Sequence, residues 1–242
     1  MDERLLSSSG RPPGHPWLLL QDGPRLAPGH PLLLVVHGRE GGHVPEGIER
    51  FASDLAGRRR APVRVQALTA DVVEDGARHP CLWLAPLLLL PGSHVRSDIP
   101  AIARRLQRDG HGVRRLPFLG AWPELLRMMR EWVERERANG RRTVLVHHPL
   151  RPGLARRHLT TLQRRLGAEL LPADQLRHYT PAHRSAALPL ALAANRMSDS
   201  LQHRLRPHPP TGCTTDFEHV FPPLLDDPRC RTLLLRLLSA LP

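Results

Sequence analysis

The sequence predicts an α/β fold built twice over, two consecutive units in which a parallel sheet is flanked by helices. Three observations predict it. Short apolar runs alternate with amphipathic stretches along the chain, the pattern of strands joined by crossover helices. Two of these runs stop at a turn and a histidine, LLLVVHG at 32–38 and PLLLLPGSH at 86–94. The second half then echoes the first: TVLVHHPLRPG at 143–153 is similar to LLVVHGREGG, and PLALAANRMSDSL at 189–201 to PLLLLPGSHVRSDI.

In order, residues 1–30 are rich in Gly, Pro and Ser and read as a loosely ordered lead-in. Residues 32–36 form a fully apolar strand. The helix at 44–57 carries Val44, Ile48, Phe51, Ala52 and Leu55 on one face. A charged turn at 58–62 leads to a second strand at 63–68, a weakly apolar loop at 69–80 and a third strand at 82–85, which Pro86 ends or bends. After the turn at 91–92, Asp98 is the expected N-cap of a helix with Pro100 in its first turn. Ile99, Ile102, Ala103 and Leu106 then recur at helical spacing. Gly110 and Gly112 break the chain before a short strand at 113–116. The helix at 122–138 carries Leu125, Leu126, Met129, Trp132, Val133 and Glu136 on one face and stops at Asn139-Gly140.

The repeat sets the domain expectation, 31–140 for the first unit and 141–242 for the second. Residues 144–147 fall 110 positions after 34–37, and Leu159, Leu162 and Leu166 fall 111 after Ile48, Phe51 and Leu55. The offset then drops to 103 at Leu171 and Pro189, and to 101 at Ser198-Asp199. Where the first unit has Gly-Ser-His-Val-Arg, the second has Asn195, Arg196 and Met197, with no histidine. His147-His148 matches the His37 position and reads as a remnant. The residues at 231–242 are expected to pack as an amphipathic helix on the second unit.

Composition narrows the function classes. The chain has 242 residues and a formal charge of +12, yet all 35 basic residues are arginine, dispersed in pairs. With aromatics at 4%, stacking platforms for single strands are scarce, and no helix-turn-helix or zinc-knuckle pattern is present. A nucleic-acid partner is therefore not expected; an acidic small molecule suits the charge. Cys81, Cys213 and Cys230 share no metal-ligand spacing, so neither a disulfide framework nor an iron-sulfur site is indicated. No apolar run reaches membrane-span length, and the first residues lack a signal-peptide core, which gives a cytoplasmic expectation with no membrane partner.

His37 and His94 each end a strand and precede a helix, 57 residues apart. In a parallel sheet that brings both to the edge where α/β folds bind ligands. The motif G-S-H-V-R-S-D-I-P at 92–100, with LLLVVHGRE at 32–40 and RRLPFLGAWPEL at 114–125, resembles the sirohydrochlorin chelatases, class II chelatases that insert cobalt, nickel or iron into a tetrapyrrole. The resemblance covers residues 31–126 and implies two ferrochelatase-like domains in the long, duplicated form. The missing histidine of the second unit gives the expectation of one site per chain, in the first unit, and the duplication that of a monomer with an internal pseudo-dimer.

By that resemblance His37 and His94 are the metal ligands and proton acceptors, for Fe²⁺, Co²⁺ or Ni²⁺ as substrate with no tightly bound cofactor. The macrocycle is rich in carboxylates, so Arg39 and Arg96 are candidate clamps, and Gly92 and Ser93 candidate contacts. Gly120 and Trp122 are placed at its edge or in the core. The family's glutamate after the second strand is Thr69 here; Glu74 or Asp75 is a possible substitute. A non-catalytic tetrapyrrole or metal carrier is the rival reading.

Overall fold

The computed structural model describes residues 29–70, 78–181, 184–205 and 217–242. The lead-in apart from Gly29 and His30, together with Glu74, Asp75 and Cys213, lies outside the described residues. Five consecutive apolar residues make β1 (Leu32–Val36), buried at every position. That is the composition of a strand covered on both faces, as parallel sheets require. α1 (Glu46–Arg59) begins two residues later than expected, because Pro45 is extended, and ends at Arg60 in the left-handed region with φ 51°. β2 (Val63–Ala67), β3 (Leu82–Pro86) and β4 (Val113–Arg115) complete a four-stranded parallel sheet of order β2-β1-β3-β4.

The helix after β3 departs from expectation. It starts not at Asp98 but with a π turn at His94–Asp98 that runs into α2 (Ile99–Arg108). The Ile99 amide donates to the His94 carbonyl five residues back, and Pro100 next to it has no amide to give. Asp98 is itself helical and its carboxylate caps no amide, so the N-cap assignment is overturned.

The second half repeats the order. β5 (Arg142–His147), β6 (Glu169–Pro172), β7 (Ser185–Pro189) and β8 (His219–Val220) form a second parallel sheet, β6-β5-β7-β8, with α4 (Leu154–Leu166) and α5 (Arg196–Leu205) as the counterparts of α1 and α2. The register corrects the repeat. Val35 pairs with Pro86 and Val146 with Pro189; Leu87 donates to the Val35 carbonyl, and Leu190 to that of Val146. Val146 is therefore the equivalent of Val35 at an offset of 111, the same as in the following helix, rather than 110. His148 takes the place of His37. His147 is the last strand residue and buried, because a one-residue slip exchanges the two faces of a strand.

Two helices cross between the halves. α3 (Pro123–Ala138), at the end of the first half, packs on β5 and α4. α6 (Pro228–Ser239) packs chiefly on α1 and α3, not on the second unit as expected. Its leucines Leu234, Leu235, Leu237 and Leu238 join a cluster that spans both halves, with Phe51, Trp83, Trp122 and Trp132 from the first and Leu145, Leu159 and Leu188 from the second. Trp122 is fully buried with Nε1 donating to the Pro117 carbonyl, and a Cβ on Gly120 would lie 1.8 Å from the Leu89 carbonyl oxygen. Both residues serve packing. No described helix is long and apolar enough to cross a membrane.

Candidate active site

The carboxyl ends of β1 and β3 lie side by side, and each delivers a histidine. His37 follows Val36 directly. His94 comes after Leu87–Leu90, which leave the sheet as a leucine wall, and after the turn at Pro91-Gly92. The two rings meet edge to face, 5.0 Å between centroids. His37 Nδ1 lies 3.1 Å from the Gly38 carbonyl oxygen, and His94 Nδ1 2.6 Å from Asp98 Oδ2. Both partners only accept, so each Nδ1 carries the proton and each Nε2 keeps its lone pair. Two adjacent imidazoles thus present free nitrogens into the same space, in the tautomer a metal ligand needs.

That space is a cavity of about 500 Å³ between the two halves. The first half lines it with Val36, His37, Gly38, Arg39, Leu87–Leu90, Gly92 and His94; the second supplies His148, Leu150 and residues 190–196. Its walls are mostly apolar with a few polar groups at the rim, as in sites for flat organic ligands. Arg39 bridges the halves, one guanidinium nitrogen donating to the Ala194 carbonyl at 3.2 Å. With His43, Asn195, Arg196 and Asp199 it also bounds an adjoining recess.

Of the residues expected from sequence, His37, Arg39, Gly92 and His94 line the cavity. Ser93 and Arg96 are exposed and are not among the lining residues. Arg96 is two residues beyond His94 on a helical turn, so it points away from the face that His94 presents. Thr69 stands beside the pair, but its hydroxyl donates to the Arg39 carbonyl at 2.7 Å and brings no carboxylate. Among the described residues no three His, Cys, Asp or Glu side chains are grouped to hold an ion.

Three residues at or beside the cavity carried no site role in the sequence reading. Asp98 orients His94; its signal is the H-x-x-x-D spacing, one helical turn. Arg196 and His148 come from the second half, and the corrected repeat offset locates His148. The His148 ring keeps some surface open to the cavity, yet burial lowers its pKa, helped by the nearby His37 and His147. Asn195 occupies the His94 position and caps α5 instead, its Oδ1 accepting from the amides of Met197 and Ser198 at 3.0 Å.

The arrangement matches known proteins. Residues 31–136 match the family model described as CbiX. The match spans 106 of the 242 residues, less than half of the chain. No curated protein sequence matches the chain. Among solved structures, the sirohydrochlorin chelatase SirB of Bacillus subtilis subspecies spizizenii, in complex with cobalt, is 18% identical with a TM-score of 0.56 over 88% of this chain and 95% of that one. CbiX, described as the terminal enzyme for biosynthesis of siroheme in denitrifying bacteria, is 21% identical with a TM-score of 0.56 over 87% and 98%. SirB from Bacillus subtilis with Fe³⁺ is 14% identical with a TM-score of 0.59 over 86% and 93%. The chelatase fold therefore extends through both halves, while the CbiX match covers the half that carries His37 and His94.

Proposed function

We propose that the chain is a chelatase that inserts Fe²⁺ or Co²⁺ into sirohydrochlorin, with His37 and His94 holding the ion. The observation that carries this reading is the pair itself: two rings 5.0 Å apart, each Nδ1 bonded to an oxygen, each Nε2 free, at the edge of a cavity between two α/β units. Two neutral imidazoles suit borderline divalent ions, and two ligands leave coordination positions open for transfer. A closed four-ligand site would retain its ion. The Asp98 carboxylate accepts from His94 Nδ1 and so holds the ring in the tautomer and orientation that leave Nε2 for the ion.

The apolar wall of Leu87–Leu90 receives the face of the macrocycle, and Arg39 and Arg196 at the rim meet its carboxylates. The solved neighbours handle cobalt and iron, and an imidazole pair accepts both. Iron would place the chain in siroheme formation and cobalt in cobalamin formation. The domain reading follows the sheets, 31–140 carrying the ion site and 141–242 closing the cavity, within one monomer in the cytoplasm.

The test is an anaerobic absorbance time course of sirohydrochlorin with Co²⁺ or Fe²⁺. The wild type metallates faster than the protein-free control, and His37→Ala and His94→Ala lose that excess. Binding of the macrocycle without accelerated metallation, in wild type, replaces the chelatase with a carrier. The missing carboxylate at Thr69 motivates that second reading, and Thr69→Glu tests it.

A further inference from the structure

The cavity contains a third imidazole that the ion site does not use. His148 follows the end of β5 in the second sheet as His37 follows the end of β1 in the first, and both residues line the same cavity. Each half brings its own strand end to the cavity, His37 from the first and His148 from the second. The His148 ring makes no hydrogen bond among the described residues. Among the described residues it belongs to no three-residue group placed to hold an ion, and His37 is near enough to act on it electrostatically. It is an unengaged base in the same cavity as the metal-holding pair.

The chemistry of insertion needs a base there. An ion bound through His37 and His94 reaches the macrocycle from one face, and the Nε2 lone pairs of both rings are then committed to it. As the ion bonds to the ring nitrogens, the two pyrrole N–H bonds tilt toward the other face. The first proton must therefore leave on the side away from the pair. We propose that His148 is the acceptor of that first proton, on the face of the macrocycle opposite His37 and His94.

The step balances. One N–H bond breaks, its electron pair stays on nitrogen for the metal, and the proton goes to a ring nitrogen of His148. His148 passes this proton to water at the cavity mouth. The second N–H bond then breaks on the same face as the ion leaves the pair, its electron pair stays on nitrogen for the metal, and its proton follows the same route. Burial and the neighbouring histidines favour the neutral form of His148, which keeps it ready to accept.

This inference rests on the chelatase reading, and one experiment separates them. Single-turnover metallation of sirohydrochlorin by Co²⁺ is followed for the full-length wild type, His148→Ala and His148→Asn. Co²⁺ binding without macrocycle is measured by calorimetry, and macrocycle binding without metal by fluorescence. The expected result is that both binding constants stay close to wild type while metallation slows about a hundredfold in each variant, the usual loss for a removed general base. Added imidazole then restores rate to His148→Ala and not to His94→Ala. Metallation at the wild-type rate in both variants overturns the inference. So does loss of Co²⁺ affinity equal to that of His94→Ala, which makes His148 a ligand, and so does a rate loss fully accounted for by weaker macrocycle binding. A wild type no faster than the protein-free control removes the chelatase reading, and the inference with it, before any variant is compared.

Discussion

The Asp98 carboxylate lies 2.6 Å from Nδ1 of His94, one turn along the same helix. A π turn with an i to i+5 step leads into α2 over these residues, and of the two side chains His94 is the one that lines the cavity. Such a carboxylate fixes the ring's tautomer and orientation. Asp98→Asn therefore weakens Co²⁺ binding about 10- to 100-fold, the usual cost of losing a ligand's hydrogen-bond partner. Calorimetry on the apo protein reads it, and an unchanged constant refutes the orienting role. Asp98→Glu recovers part of the affinity, since it keeps the charge on a longer stem.

Gly38 fixes the other histidine. Its φ is +75°, and a Cβ there would stand 2.5 Å from the Ala67 Cβ and 2.6 Å from Thr69 Oγ1. Gly38→Ala therefore meets both a disfavoured backbone region and two neighbours that must shift. The expected outcome is a loss of about 1–3 kcal/mol in urea unfolding together with weaker Co²⁺ binding, because His37 is adjacent and its Nδ1 partner is the Gly38 carbonyl. Stability loss with unchanged Co²⁺ affinity would show that the turn does not position the ring.

Asn195 supports the opposite wall. Its side chain accepts from two amides at the start of α5, and its own backbone amide donates to the Ser198 hydroxyl oxygen at 2.9 Å. Asn195→Ala costs about 1 kcal/mol by thermal unfolding, as loss of an N-cap does. Asn195→Asp costs less, since a carboxylate fills the same role.

How much was legible follows from what local pattern encodes. β1 and β3 announce themselves because both faces are covered, so every residue from Leu32 to Val36 is apolar. The edge position of His37 and His94 follows from parallel topology. Asp98 was misread because Ser-Asp-Ile-Pro resembles a helix start, whereas the backbone had already turned helical at His94. The repeat offset was misread by matching histidine to histidine, although the helix trio already gave 111. α6 was assigned to the wrong half because an apolar helical face does not name its partner.

Acidification should loosen the fold around His158. Burial lowers the pKa of its ring, with Arg165 adding to the effect and a backbone hydrogen bond at Gly120 opposing it. In the unfolded chain the imidazole protonates near about 6.5. Because the folded state takes up that proton only at lower pH, the unfolded state binds more protons below that value, and stability falls as pH drops. Above it the contribution is fully present. His158→Gln flattens the decline between neutral and mildly acid pH in urea titrations; an unaltered slope assigns the decline to other groups.

Arg59 ties the end of the chain to the first half. Its guanidinium is buried at the last turn of α1 and donates to the carbonyls of His30 at 2.6 Å, Leu238 at 2.7 Å and Leu241 at 2.9 Å. Burial disfavours the charged form and lowers its pKa. Losing the guanidinium still costs more than keeping it, because three carbonyls would be stranded at a packed helix end. Arg59→Met retains the apolar stem and leaves those acceptors unpaired, so it should cost about 2–4 kcal/mol in urea unfolding, with an unchanged denaturant slope. Co²⁺ affinity of the folded fraction stays at the wild-type value, since Arg59 does not line the cavity. A smaller cost, below about 0.5 kcal/mol, would mean that the leucines of α6 hold the chain's end without it.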